Sequence, residues 1–272
     1  MPSSCGLSHI SLRCNPASSN FRAISLKITR TIALICAFVA LGALALLWVQ
    51  IPSWRIGGAR SLPASSVAHL QESLTCPSEG EQIAIYGDSH VTGGRMTQFG
   101  GESGPVFGRV LEAELGADIS VSLRGVGGHT ARLGEGRWDV RDSAEETVVI
   151  AYGTNDAAPR GWLRSKEPVP VPDYKSALER LASAGAEAGR QVVFLAPPPA
   201  GSSVIMQRLR PYRSALRDLG RELNVPVLDP ADAFAACEGS QPLLTYDALH
   251  MNAAGHRCLG EWLAARFCQV PD

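Results

Sequence analysis

The chain has 272 residues, 45% of them hydrophobic and 19% charged, with a formal net charge of −1. That near-neutral balance gives no footprint for a polyanionic partner and excludes nucleic acid as the expected ligand. Length alone allows one or two domains. The charge is uneven: no acidic residue precedes Glu72, while Arg13, Arg22, Lys27 and Arg30 lead into an uncharged run over 31–49.

Residues 1–30 are Ser-rich and poor in apolar side chains, as expected of a disordered tail. The run that follows, TIALICAFVALGALALLWV, reaches roughly 28 Å as a helix at about 1.5 Å per residue, against a hydrocarbon core of about 30 Å. Trp48 and Trp54 suit the membrane interface, and the upstream basic residues predict a cytoplasmic N-terminus. A cleaved signal peptide is the alternative. Its apolar region is usually about 7–15 residues and ends in small residues, whereas this run ends Leu-Leu-Trp-Val-Gln. The expectation is therefore a retained single-pass anchor over 31–50 and a Pro-, Gly- and Ser-bearing linker over 51–79. A domain over 80–272 would then be exported to the periplasm or cell exterior.

Of seven cysteines, Cys76, Cys237, Cys258 and Cys268 fall on that exported side, where disulfides persist. Four cysteines permit three pairings, and spacing does not choose among them. Cys258 and Cys268 sit too far apart on one straight helix to pair, which favours Cys76 with Cys268 or Cys237 with Cys258.

From residue 81 onward, short β-branched runs at 82–86, 119–123, 147–152, 192–196 and 225–228 read as buried strands. Between them, 105–115, 174–189 and 209–223 carry apolar residues at helical spacing, and 252–267 supplies a C-terminal helix. Strands alternating with helices predict a parallel three-layer α/β sandwich. Ligands in such sheets bind beyond the carboxyl ends of the strands. Gly87-Asp88-Ser89, Gly125–Gly128 and Gly153–Asp156 each follow a strand, so all three should emerge on one edge.

Ser89 is the expected nucleophile. A free hydroxyl is weak and must lose its proton to a base. His250 supplies that base, with Asp247 three residues earlier to hold its ring. Oxyanion donors are expected from the backbone N–H groups of Ser89 and Gly128 and from the Asn155 amide. Each segment has a blander reading: a capping serine, a turn-forming Asn, a glycine needed only for positive φ. Together, and in this order, they read as serine-dependent acyl-ester chemistry.

These segments resemble the blocks of the SGNH (GDSL-type) hydrolase superfamily. Ile85-Tyr86-Gly87-Asp88-Ser89 is similar to its serine block, Gly125-Val126-Gly127-Gly128-His129-Thr130-Ala131 to its glycine block, Tyr152-Gly153-Thr154-Asn155-Asp156 to its asparagine block, and Tyr246-Asp247-Ala248-Leu249-His250 to its Asp-His block. The resemblance implies a flavodoxin-like α/β/α fold and ester hydrolysis or acyl transfer, without metal or cofactor, by Ser89, Asp247 and His250, with Gly128 and Asn155 at the oxyanion. The ending His-Met-Asn-Ala-Ala-Gly-His resembles extracytoplasmic members that handle O-acetyl groups on glycans.

His90 stands where many relatives carry Leu, and His129 where many carry Asp. Both, with Gly127, are candidates to line the substrate; structural or solvated roles are the alternatives. Asp88 and Asp156 are expected to steady their turns, and His256 to be structural. Arg132, Arg137, Arg160 and Arg164 are either solvated or face an anionic glycan. The preferred reading is an esterase. A polysaccharide O-acetyltransferase is the runner-up, its acetyl donor delivered by a separate membrane partner, and a non-catalytic glycan-binding module is the lesser alternative. Asp88-x-His90 also begins a metallophosphoesterase signature, but its Asn-His pair and late Gly-His-x-His are absent. An α/β-hydrolase would show Gly-x-Ser-x-Gly, where this chain has Gly-Asp-Ser-His-Val.

Overall fold

A computed structural model of the chain describes residues 74, 76–98, 101–157, 167–237 and 242–268. The tail, anchor and nearly all of the linker expected over 1–79 lie outside the described residues, as do Arg160 and Arg164. Among the described residues no helix is long and apolar enough to cross a membrane.

Five strands form one parallel sheet: β1 (Gln82–Gly87), β2 (Ser120–Gly125), β3 (Thr147–Ala151), β4 (Gln191–Leu195) and β5 (Val227–Leu228), in the order β2-β1-β3-β4-β5. The described helices are α1 (Ser89–Thr92), α2 (Phe107–Leu115), α3 (Ala131–Arg137), α4 (Thr154–Ala157), α5 (Val171–Glu187), α6 (Ser203–Leu223), α7 (Pro230–Ala236) and α8 (Ala253–Phe267). This order is that of flavodoxin-like sheets, and it reverses direction between β1 and β3. The three-layer arrangement read from the sequence is present.

Side chains of a strand alternate between faces, and here both faces are covered. Ala84, Tyr86, Val148, Ile150, Val192 and Phe194 pack with Tyr174, Leu178 and Leu181 of α5 and Leu209, Leu216 and Leu219 of α6. Ile83, Ile85, Val121, Val149 and Val193 pack with Phe107 and Leu111 of α2 and Leu259, Leu263 and Phe267 of α8. β1, β3 and β4 read as nearly unbroken apolar runs because neither side meets water, while β2 at the edge packs only Val121 and Leu123 on one face.

Two expectations shift. The helix anticipated over 209–223 starts earlier, at Ser203, and contains Pro211. Starting it at 209 would put Pro211 in the first turn, where a missing N–H costs nothing. Instead Ser202 caps the helix, its hydroxyl accepting from Ile205 N, and burial of Ile205 and Leu209 outweighs the one hydrogen bond proline removes. The last strand has only two residues, paired with Phe194 and Leu195 at the sheet edge. The short α1, α3, α4 and α7 carry too few turns to show periodicity.

Disulfides join Cys76 to Cys268 and Cys237 to Cys258. The first ties the segment before β1 to the end of α8; the second ties the end of α7 to the interior of α8.

Candidate active site

The ladder between β1 and its neighbours ends at Gly87, which pairs with Gly125 on one side and Ala151 on the other. A Cβ on Gly87 would lie 2.5 Å from Val91 and 2.7 Å from the Ala151 carbonyl, so only glycine lets the chain turn here. Asp88 caps the turn, its Oδ1 accepting from His90 N at 2.9 Å. Ser89 is the first residue of α1, so its N–H has no acceptor within the helix.

The C-terminal segment delivers the other two groups as one unit. Asp247 Oδ1 accepts from Thr245 Oγ1 at 2.8 Å and from Leu249 N and His250 N at 2.9 Å each. Its Oδ2 stands 2.6 Å from His250 Nδ1, and His250 Nε2 stands 2.9 Å from Ser89 Oγ. Burial alone would raise the Asp247 carboxyl, but the His250 ring and these N–H donors overcome it and hold the group well below the usual carboxylate range. An ionised carboxylate only accepts, so Nδ1 carries the ring hydrogen and Nε2 is left to accept from the serine. The three groups expected from two distant stretches therefore form one hydrogen-bonded line.

The glycine loop lies against the serine: a Cβ on Gly127 would be 3.9 Å from Ser89 Cβ. Gly128 has φ +82 with open space where a side chain would go, so backbone conformation and not crowding requires glycine there. Its N–H has no hydrogen-bond partner among the described residues.

Asn155 sits between the serine turn and this loop. Its Nδ2 donates to Asp88 Oδ2 and to the His129 carbonyl, each at 3.0 Å, which engages both amide hydrogens. Asp88 thus grips the serine turn and the asparagine together, a link that the sequence, which assigned it to the turn alone, does not reveal. Burial pushes the Asp88 carboxyl up to about 6, against the opposing pull of the His90 N–H, His250 and Asn155. Asp156 is fully buried with both oxygens on Ala131 N, at 3.2 and 3.1 Å. Burial, with Asp88 adding to it, pushes this carboxyl up to about 7 despite the Ala131 N–H.

His90 is only 5% exposed, and its ring stacks on that of His250 with centroids 5.4 Å apart. Burial, then His250 and His256, keep it neutral. It therefore packs against the base and does not offer an open wall to substrate. His256 is interior: its Nδ1 accepts from Phe107 N at 3.3 Å, and burial pushes it down to about 4. His129 faces a cavity beside the glycine loop.

Two neighbours carry no sequence signal. Arg95, in the loop after α1, has φ +65 and brings Nε within 3.7 Å of Asp247 Oδ2. Tyr246 is 64% exposed immediately before Asp247. Among the described residues no group of three or more His, Cys, Asp or Glu side chains is arranged to hold a metal ion.

The model of the GDSL-like Lipase/Acylhydrolase family matches residues 85–258. Among solved structures, an α/β hydrolase enzyme from the metagenome of Lake Arreo, Spain, is 26% identical with a TM-score of 0.60, covering 71% of this chain and 98% of its own. An acetylxylan esterase from Geobacillus stearothermophilus is 22% identical with a TM-score of 0.58, covering 72% and 98%. A lipase/acylhydrolase from Enterococcus faecalis is 22% identical with a TM-score of 0.54, covering 68% and 95%. The last two likenesses are likenesses of fold. No curated protein matches the chain.

Proposed function

The chain belongs to the GDSL-like lipase/acylhydrolase family and is an ester-hydrolysing enzyme, and from that premise we propose that it removes O-acyl groups, above all O-acetyl, from a cell-envelope or extracellular glycan through an acyl-Ser89 intermediate. The observation that carries this is the line from Ser89 Oγ through His250 to Asp247, at 2.9 and 2.6 Å.

Ser89 Oγ bonds to the acyl carbon as its proton passes to His250 Nε2, and the carbonyl electron pair moves onto oxygen. Asp247 holds the resulting imidazolium by its Nδ1–H. The N–H groups of Ser89 and Gly128 receive the oxyanion. Asn155 keeps one N–H on Asp88 and turns the other from the His129 carbonyl to the oxyanion. Collapse breaks the bond to the sugar oxygen, which takes the proton from His250. Water, giving its proton to the same nitrogen, then attacks the acyl carbon, and Ser89 leaves with that proton as the acid departs. The O-acetyl assignment is supported by the ending His-Met-Asn-Ala-Ala-Gly-His and by the fold held in common with an acetylxylan esterase. The exposed Tyr246 ring beside Asp247 offers an apolar face with a polar tip, a surface suited to a sugar.

The run over 31–49 is read as a retained anchor holding this domain outside the cytoplasm, and the two disulfides favour that side. Alkaline carbonate washing should leave the chain in the membrane fraction; its release would refute the anchor.

The decisive test is release of p-nitrophenol from p-nitrophenyl acetate by the full-length protein and by Ser89→Ala. The variant should be inactive. Turnover equal to the parent's would refute the mechanism, and sugar acceptors added to the same reaction separate transfer from hydrolysis.

A further inference from the structure

Beside the glycine loop, between α3 and the start of α5, lies an open cavity of about 780 Å³, with Arg132, Arg137 and Asp173 exposed at its surface, that the acyl-transfer steps do not use. Its size falls within the range of about 300–1,000 Å³ typical of small-molecule sites. One wall carries His129, Arg132 and Arg137; the other carries Val169, Pro170 and Asp173. His129 lines it, and the carbonyl of that residue is the one that holds Asn155, so the cavity and the glycine loop beside Ser89 share this residue.

The two arginines differ from their neighbours. Arg124 pairs with Glu145, Arg141 with Glu187, and Arg180 with Glu135. Arg132 and Arg137 have no carboxylate partner among the described residues. Glu135, the acid whose field Arg132 feels, is already taken by Arg180. Arg137 lies over the Trp138 ring at 5.0 Å, a contact that steadies the guanidinium and leaves its N–H groups to point elsewhere. Burial, then Arg137, lowers the His129 ring below its ordinary value, so it adds a neutral hydrogen-bonding edge to the same wall. Among the described residues Asp173 is the sole acid lining the cavity, against two guanidinium groups. Guanidinium forks match carboxylate and phosphate oxygens in pairs, which neutral sugars do not offer.

We propose that this cavity is a subsite for an anionic sugar unit, carboxylate- or phosphate-bearing, next to the sugar whose ester Ser89 attacks. The proposal rests on the esterase reading and narrows its substrate to acidic glycans. The floor of Val169 and Pro170 takes the sugar's apolar face, and Arg132 and Arg137 take its charge.

The test compares acetylated polygalacturonate with acetylated dextran of equal acetyl content, using the full-length protein, p-nitrophenyl acetate as reference, and the variant Arg132→Gln/Arg137→Gln. The parent should prefer the acidic polymer by about tenfold or more in kcat/KM, the size of one or two partly screened charge contacts. The variant should lose that preference through KM, with p-nitrophenyl acetate turnover unchanged, and added salt should erode the preference in the parent alone. Free galacturonate oligomers and a sugar phosphate, tried as inhibitors of the parent, separate the two anion sources, and inhibition by neither overturns the subsite. Equal kcat/KM on both polymers, or a preference the variant keeps, also overturns it. Calorimetry with unacetylated galacturonate oligomers keeps the two readings distinguishable. Binding that depends on both arginines in a protein without esterase activity upholds the subsite while the esterase reading falls.

Discussion

Replacing Asp156 by Asn should remove a pH dependence of folding stability that the parent carries. The carboxyl is fully buried, accepts from Ala131 N and from its own backbone N–H, and is still raised from 3.8 to about 7. Between those values the folded chain holds a proton that the unfolded chain has lost. Stability at this site is therefore greatest below pH 3.8, falls as pH rises, and levels off above about 7. From pH 5 to pH 8 the loss covers about two pH units before levelling, or about 3 kcal/mol at about 1.4 kcal/mol per unit. Asp156→Asn has no proton to lose, so its stability relative to the parent should be about 3 kcal/mol better at pH 8 than at pH 5. That difference does not depend on what the new amide hydrogens cost, on the order of 1–3 kcal/mol if unpaired, because the cost is the same at both values. Asp88, raised to about 6, contributes its own slope below that value in both proteins and largely cancels. Urea unfolding of the full-length protein and the variant, followed by tryptophan fluorescence at pH 5 and pH 8, measures the quantity. A parent–variant difference that is the same at both values would refute a raised Asp156.

Asn155→Ala should lower kcat by about 10²–10³ with little change in KM, since the amide meets the substrate only as the oxyanion forms. Asp88→Ala should approach the same loss, because it frees the other end of that amide; full activity in Asp88→Ala would refute the grip seen at 3.0 Å. Removing the disulfides as Cys76→Ser/Cys268→Ser and Cys237→Ser/Cys258→Ser should cost unequally, because they close loops of 192 and 21 residues. Loop entropy gives about 5 and about 3 kcal/mol respectively. Equal losses by urea unfolding would point to native strain or packing as the larger effect.

β1, β3 and β4 were legible because they are buried on both faces, so their apolar runs stand out without alternation, whereas β2 at the sheet edge packs only Val121 and Leu123 on one face. The hydrogen-bonded line of Ser89, His250 and Asp247 was legible because Asp247 and His250 lie within one turn and Ser89 follows a strand end. What stayed hidden depends on contacts far apart in sequence. Asp88 and Asn155 are 67 residues apart, and nothing local to either marks their bond. Arg95 reaches Asp247 from a loop without periodicity, and its positive φ is one that an arginine does not advertise. His90 could be named as unusual after Ser89, but burial against His250 is a property of how the C-terminal segment returns to the sheet.

That return explains the covalent ties. Ser89 and Asn155 sit at the ends of β1 and β3, neighbours at the point where the sheet order reverses, and the ladder and the Asp88–Asn155 bond fix their spacing. His250 has no strand beneath it. It follows a turn, is tied by the bridge of Leu244 with Met251 and by Gly201 N donating to the Ala248 carbonyl, and is 161 residues from the serine it must meet at 2.9 Å. Its position is inherited from α8, which begins three residues later at Ala253 and packs on α2. Both disulfides end on that helix or at its last turn: Cys258 ties it to the end of α7, and Cys268 to the segment before β1. Fraying of a terminal helix is ordinary where nothing holds it, and here fraying would carry the base away from the nucleophile. Reduction should therefore lower activity at denaturant concentrations too low to unfold the sheet. Loss of p-nitrophenyl acetate turnover ahead of the fluorescence transition would mark it, and coincident loss of both would show instead that α8 and the sheet unfold as one unit.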